Sequence, residues 1–283
     1  MDTLNRGHAP FPAHIWGMID EAAASAARDR LTGRRFLDLE GPFGLGLTVI
    51  EIGNDDYCRQ PGPDEAGQIL GRAIQVPMIR KSFRISIRRV AAHLDNGQPL
   101  DLSPAQDAAE AVADREEELI YQGQPAFGVH GLLNVEGRQQ VEGGDWTQPN
   151  AALNDVLQAA TRLDEAGFHG PYALALAPAL YNNLFRLFPG TDVIGVEHLR
   201  RLATAGIYKA PIEGGVLVDT RVGVLVLGQD FSAGYSSQDG VHYYLYISES
   251  IVLRIDEPRA ICVISARAGS ANEGAASGAT VGR

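Results

Sequence analysis

The chain has 283 residues, with 24 Lys and Arg against 35 Asp and Glu, for a formal net charge of −11. That balance argues against a general nucleic-acid binder, which needs clustered cations for phosphate. No run approaches the roughly 20 apolar residues of a membrane span, and two cysteines, Cys58 and Cys262, make no disulfide scaffold. The 32 Gly and 15 Pro form about a sixth of the chain, against about 12% in average usage, and predict many turns around a core of modest size.

The first residues, Met1 to Arg6, lack the basic-then-apolar layout of a secretory signal, and the two distant cysteines make a reducing cytoplasm the simplest home. After Pro10-Phe11-Pro12, Ile15, Trp16, Ile19, Ala22, Ala23, Ala26, Ala27 and Leu31 recur at spacings of three and four, predicting an amphipathic helix with Gly33 as its C-cap. Leu37 and Leu39 alternate with Asp38 and Glu40 before Gly41-Pro42-Phe43-Gly44 breaks the pattern. Residues 45–76 read as irregular apart from a short strand at Leu47–Ile52; the polar stretch Gly53 to Gly71 suits an excursion lying on a surface or a neighbouring chain. Phe83 to Arg88 alternates as a strand.

Ser103-Pro104-Ala105-Gln106 is a capping-box pattern opening a helix to Gln122. Its inner stripe is Ala105, Ala108, Ala109, Val112, Leu119 and Ile120, with Asp114 to Glu118 mostly on the solvated face. Helices follow at about 151–166, 178–187 and 195–205, with a strand at Tyr172–Leu176 between the first two. The last third is strand-rich: Val216–Val218, Val222–Leu227, Val241–Ile255 and Ile261–Ile264, with Cys262 a buried thiol. The Ala, Gly, Ser and Thr tail 267–283 reads as disordered.

Catalytic motifs are missing. There is no phosphate loop, Val49 stands where a dinucleotide fingerprint needs Gly, and no Gly-x-Ser-x-Gly elbow occurs. The seven histidines are scattered singly, without a His-x-x-x-His pair for zinc. Tyr243-Tyr244-Leu245-Tyr246 reads as ordinary strand filling. Residue chemistry alone therefore describes an α+β protein with no visible active site, which shifts weight toward a binding or structural role.

The segments in order resemble encapsulin shell proteins, the family 1 linocin/bacteriocin-like group. The match lies in Leu4-Asn5-Arg6, Ala9-Pro10, Trp16, Ile19-Asp20 and Gly33 to Gly44. It continues through Val76-Pro77-Met78-Ile79, Glu116 to Gly123, Gly128 to Leu133, Gly170-Pro171-Tyr172 and Leu227 to Tyr235, covering about residues 4–265. The resemblance implies the HK97-type tailed-phage capsid fold and a non-enzymatic subunit. Its copies would close into an icosahedral shell in the cytoplasm, a homo-oligomer of about 60 copies in the simplest case. The shell would hold a ferritin-like protein or a dye-decolourising peroxidase through the cargo's C-terminal peptide, with no nucleic acid and no membrane as partner.

The implied parts are an interior-facing N-terminal arm at 1–42 and an extended loop at 43–78 that pairs with a neighbour. A peripheral domain would take 79–130 and 220–266, with spine helix 103–122, and an axial domain 131–219. The implied cargo-peptide residues are Leu31, Phe36 and Ala233 for apolar contact, and Arg34 and Asp38 for polar anchoring. The implied five-fold pore loop is Pro189, Gly190, Thr191, Asp192, Val193, Ile194 and Gly195, with Asp192 repeated as a ring of carboxylates that favours cations. No cofactor is expected: some relatives stack a flavin on a Trp where this chain has Arg88. The alternative within the fold is a phage or prophage major capsid protein, which the acidic balance and the lack of a long charged N-terminal helix disfavour. A protease or bacteriocin reading has no nucleophile–base pair to support it.

Overall fold

The structure, a computed structural model, describes residues 3–187 and 192–265, the side chains of residues 54, 56, 57 and 149 apart. Pro189, Gly190 and Thr191 of the implied pore loop lie outside the described residues, as does the tail 267–283. The chain divides into two units, Met1–Val135 with Gly223–Asp256, and Glu136–Val222 with Glu257 onward.

The first unit opens with α1 (Ala13–Arg30), which buries Ile15, Trp16, Ile19, Ala23 and Ala27, the predicted stripe. Full burial of an Ile contributes about 1.5–3 kcal/mol. Gly33 is not its C-cap: Leu31 ends the helix in extended backbone, and Gly33 sits in a following 3-10 turn. What requires glycine there is space, since a Cβ would lie 2.5 Å from Ile120 Cδ1. The short strand β1 (Asp38–Glu40) follows.

The stretch expected to be irregular is a hairpin, β2 (Val49–Arg59) with β3 (Gln68–Gln75), paired from Val49↔Gln75 to Arg59↔Gln68 with two register shifts. Its polar side chains disguised it. β3 is exposed at every residue but half-buried Ile74, so it has no buried face to impose apolar alternation. Only its base is anchored, where Leu47, Ile50 and Ile74 pack on buried Val76, Val129, Val226 and Val252.

β4 (Met78–Ser86) buries Ile79, Phe83 and Ile85. It ends two residues earlier than predicted: Ile87 and Arg88 open α2 (Ile87–Asn96), which Gly97 closes in the left-handed region at φ 64°. The spine helix α3 (Ser103–Tyr121) packs against α1, β4 and a later strand. The capping box is not made. Leu102 is the N-cap, and Asp101 Oδ1 accepts from the Ser103 N–H and Oγ–H at 3.0 and 2.7 Å. A short pair, β5 (Gly123–Gln124) with β6 (Val129–His130), follows.

The second unit begins with β7 (Gln139–Glu142) and α4 (Pro149–Glu165). β8 (Tyr172–Leu176), α5 (Pro178–Asn183), α6 (Gly195–Arg200), β9 (Gly206–Lys209) and β10 (Gly215–Asp219) complete its first part. β8 and β10 are buried on both faces and so read as unbroken apolar runs.

The chain then returns to the first unit. β11 (Gly223–Gln238) and β12 (His242–Ile255) form a long antiparallel hairpin in a sheet of order β1-β11-β12-β4. The last strand, β13 (Ile261–Ser265), lies between β7 and β10 in the second unit's sheet, β7-β13-β10-β8-β9. The implied peripheral segment 220–266 includes residues 261–265. Its backbone hydrogen bonds decide otherwise, because Ile261–Ile264 register with Val218–Gly215.

Candidate functional site

The region that the resemblance singles out is organised by Arg34. Its guanidinium binds Glu116 through two bonds, Nε to Oε1 at 2.7 Å and NH2 to Oε2 at 2.8 Å. NH2 also reaches Glu249 Oε2 at 2.8 Å, and NH1 reaches Asp230 Oδ1 at 2.8 Å. Phe231 lies beside it, 5.4 Å from guanidinium carbon to ring centroid. Arg34 thereby ties the turn after α1 to α3 and to both strands of the long hairpin.

Asp230 and Phe231 reach Arg34 because β11 is irregular there, with register shifts between Leu227 and Gln229 and between Gln229 and Ser232. The freed backbone is satisfied locally: Gln229 N–H donates to Ser250 Oγ at 2.8 Å, and Gln229 Nε2 to Ser248 Oγ at 3.0 Å.

Beside this clamp Glu117 serves as an acceptor for the residues that leave α1. It receives the Thr32 and Gly33 N–H groups at 2.8 and 2.9 Å and the Thr32 hydroxyl, which also lies 3.0 Å from Tyr121 Oη. Without it two backbone donors would be buried unpaired.

Glu116, Glu117 and Glu249 are all buried. The expectation that 114–118 is a solvated face fails for Glu116 and Glu117. The signal was present in the spacing: Val112, Glu116 and Ile120, and Ala113, Glu117 and Ile120, continue the apolar stripe at three- and four-residue steps. Glu249 lies inside the apolar run of β12 and was missed for the same reason.

Burial pushes the Glu249 carboxyl well above its usual range, the facing Glu116 carboxyl adds to this, and Arg34 opposes it. Among the described residues Glu249 Oε1 has no hydrogen-bond partner. Burial also raises Glu117, against the hydrogen bonds from Thr32 and Gly33. For Arg34 burial acts to lower the pKa, and the Glu116 hydrogen bonds and charge outweigh it, so the net direction is upward.

Of the implied peptide residues, Leu31, Phe36 and Ala233 are buried among the unit's own side chains. They therefore offer no exposed apolar patch in the single chain. Asp38 is exposed on β1, opposite Val224, nine residues along β11 from Ala233. The structure thus groups Arg34 with the Asp230–Ala233 segment and leaves Asp38 apart. Arg6 belongs to that group, through Nε to Ala233 O at 2.8 Å and an ion pair with Asp20.

In the second unit, the Leu187↔Ile194 bridge and Gly195 N–H donating to Arg186 O at 3.0 Å close the neck of the implied pore segment. Asp192 and Val193 are exposed there. Arg88 is exposed in the first turn of α2. Among the described residues no three His, Cys, Asp or Glu side chains are grouped to hold a metal ion, and no helix is long and apolar enough to cross a membrane.

The model of the Linocin_M18 family, described as "Encapsulating protein for peroxidase", matches residues 1–252. The chain belongs to this family. It is 33% identical over 278 residues to the type 1 encapsulin shell protein of Myxococcus xanthus, covering 93% of this chain and 96% of that one. It is 28% identical over 266 residues to a diheme-cytochrome–encapsulin shell fusion protein of Kuenenia stuttgartiensis, covering 88% of this chain and 72% of that one.

Among solved structures it superposes on the virus-like particle of Pyrococcus furiosus with a TM-score of 0.70 at 21% identity, over 89% of this chain and 100% of that one. On the capsid of Myoviridae phage XM1 the TM-score is 0.55 at 16% identity, over 82% and 90%. The fold is therefore the HK97-type capsid fold in an α+β chain. As an encapsulin-family protein the chain is a structural subunit of a capsid-like nanocompartment rather than an enzyme.

Proposed function

We propose that copies of this chain close into an icosahedral shell of about 60 subunits that works in the cytoplasm and retains a cargo enzyme by the cargo's C-terminal peptide. The match of the encapsulating-protein family to residues 1–252 carries this reading. A peroxidase is the cargo that the family description favours; the Kuenenia relative, a fusion of shell and diheme cytochrome, is a second precedent for a redox protein held by such a shell. A ferritin-like protein remains the other candidate.

In this proposal residues 1–42 face the interior, and the peptide meets the rim around Arg34 and half-buried Phe231. Leu31, Phe36 and Ala233 lie beneath as a packed floor, with Asp38 at a separate polar contact. The β2–β3 hairpin lies on a neighbouring copy, and Asp192 lines the pore as a ring favouring cations. No flavin is held, since exposed Arg88 offers no indole to stack on. The test is size-exclusion chromatography with negative-stain microscopy of the chain expressed with its neighbouring genes. Closed shells with a co-purifying enzyme are expected; a monomer or dimer at micromolar concentration overturns the proposal.

A further inference from the structure

One guanidinium serves three carboxylates in the clamp: Arg34 meets Glu116, Glu249 and Asp230. The side chains of Glu116 and Glu249 are 0% exposed, and that of Asp230 is 56% exposed. Two buried anions on one cation leave a negative charge uncompensated inside the fold. A carboxyl so placed is more stable protonated than ionised.

The hydrogen bonds say which carboxyl takes the proton. Glu116 receives Arg34 on both oxygens, whereas Glu249 receives it on Oε2 alone. Glu249 Oε1 is buried and, among the described residues, without a hydrogen-bond partner. Glu116 from α3, Arg34 from the turn after α1 and Asp230 from β11 face Glu249; Glu117 stands behind Glu116 on α3, and the residue opposite on β4 is Ile79. Burial raises Glu249, the Glu116 carboxyl adds to this and Arg34 opposes it, so the proton leaves on the alkaline side of an ordinary glutamate.

Losing that proton strains the cluster, and one member is free to yield. Glu116 lies within the unbroken helix α3, and β12 pairs with β4 in continuous register from His242 to Ser250. β11 is different: register shifts stand on both sides of Gln229. There Asp230 Oδ1 accepts from Arg34 NH1 at 2.8 Å and from the Phe231 N–H at 2.9 Å. Asp230 is thus the carboxylate whose departure breaks the fewest bonds, and Phe231, 5.4 Å from the guanidinium carbon, moves with it.

We propose that a proton on Glu249 acts as a latch on the Asp230–Phe231 segment. With the proton in place, Glu249 is a neutral acceptor, and the charge of Arg34 serves Glu116 and Asp230. Opening releases one proton per chain to solvent; Arg34 is then shared by two buried anions, and both repel Asp230 outward. The latch goes beyond the cargo reading and does not depend on it. Where the rim holds a peptide as proposed above, a rise in pH loosens that hold.

The test places a reporter on the latch, Phe231→Trp, in the chain as it assembles, with the parent chain as the blank for Trp16 and Trp146. Emission should shift to the red in one reversible step between pH 5 and 9. The step should be absent when Glu249→Gln is added, the emission staying at its low-pH value. Hydrogen exchange of residues 228–233 without the reporter, corrected for the intrinsic effect of pH, should show opening that grows by at most about tenfold per pH unit, the limit for one proton. Should Glu249→Gln fail to fold, exposed Asp230→Asn serves instead. It removes the charge that is repelled, and the step should again be absent.

No step in the reporter chain, or a step that persists in Glu249→Gln, overturns the latch. So does a step that coincides with loss of far-ultraviolet circular dichroism, which reports unfolding of the unit. None of these readouts uses cargo, so the latch and the shell reading fail separately.

Discussion

Glu249→Gln should make the protein more stable at alkaline pH, not less. Glu116 and Glu249 are fully buried and share one guanidinium, with Asp230 bonded from the exposed side. With both glutamates ionised, the buried trio carries a net negative charge; one proton on Glu249 makes it neutral. The direction of the Glu249 shift agrees, upward from burial and the Glu116 carboxyl.

The sign follows. A carboxyl raised in the folded state stabilises the fold fully below its ordinary pKa near 4.5, and that contribution is lost as pH rises toward the raised value. The loss is at most about 1.4 kcal/mol per pH unit for one proton. Glutamine keeps an oxygen for Arg34 and removes the titration, so the variant should lack this slope and cross the wild type above it. Glu116→Gln breaks the two-bond pair and should cost about 3–5 kcal/mol, partly recovered as Glu249 ionises beside Arg34. The assay is thermal unfolding of shells from pH 5 to 9, with infrared detection of a protonated carboxyl that Glu249→Gln removes. Parallel pH slopes in wild type and Glu249→Gln, with the infrared band unchanged, would refute the shared-proton argument.

Phe36→Asp places a charge in the buried floor beside α1 and should cost at least the about 3–5 kcal/mol of a large-to-small core change; soluble yield and melting temperature measure it, and a variant that assembles normally and loses only cargo counts against the burial argument. Gly33→Ala forces a Cβ to 2.5 Å from Ile120 Cδ1 and should cost about 1–3 kcal/mol. Ile120→Val removes that atom, so the double variant should melt above Gly33→Ala. Burial pushes the Cys262 thiol up to about 12, and Cys58 is exposed. A thiol reagent at neutral pH should therefore titrate one cysteine in the folded subunit where the neighbour leaves Cys58 open, and two after denaturation.

Periodicity made much of the architecture legible. α1, α3, α4, β8, β10 and β12 each bury a continuous stripe or run, and apolar spacing reports that directly. It failed where burial and polarity part company. β3 has no buried face to write a pattern, so this stretch reads as loop. α2 buries only Val90, too little to separate a helix start from the end of β4. β13 pairs with β10 and β7 in the second unit's sheet, which apolar alternation cannot show, because it says that a strand is buried and not against which sheet.

The same failure hid the centre of the candidate site, and it alters what the charge balance means. Glu116, Glu117 and Glu249 look like surface acids in composition, yet they are inside, held by Arg34 and by backbone N–H groups. Three of the 35 acids are thus structural and contribute little to the outer field. The reverse holds for residues 80–89, where five bases stand exposed or at the rim without acids in sequence. A net charge of −11 therefore describes no uniform surface. It resolves into a buried acidic knot held by Arg34, an acidic stretch at 49–75 and a basic stretch at 80–89.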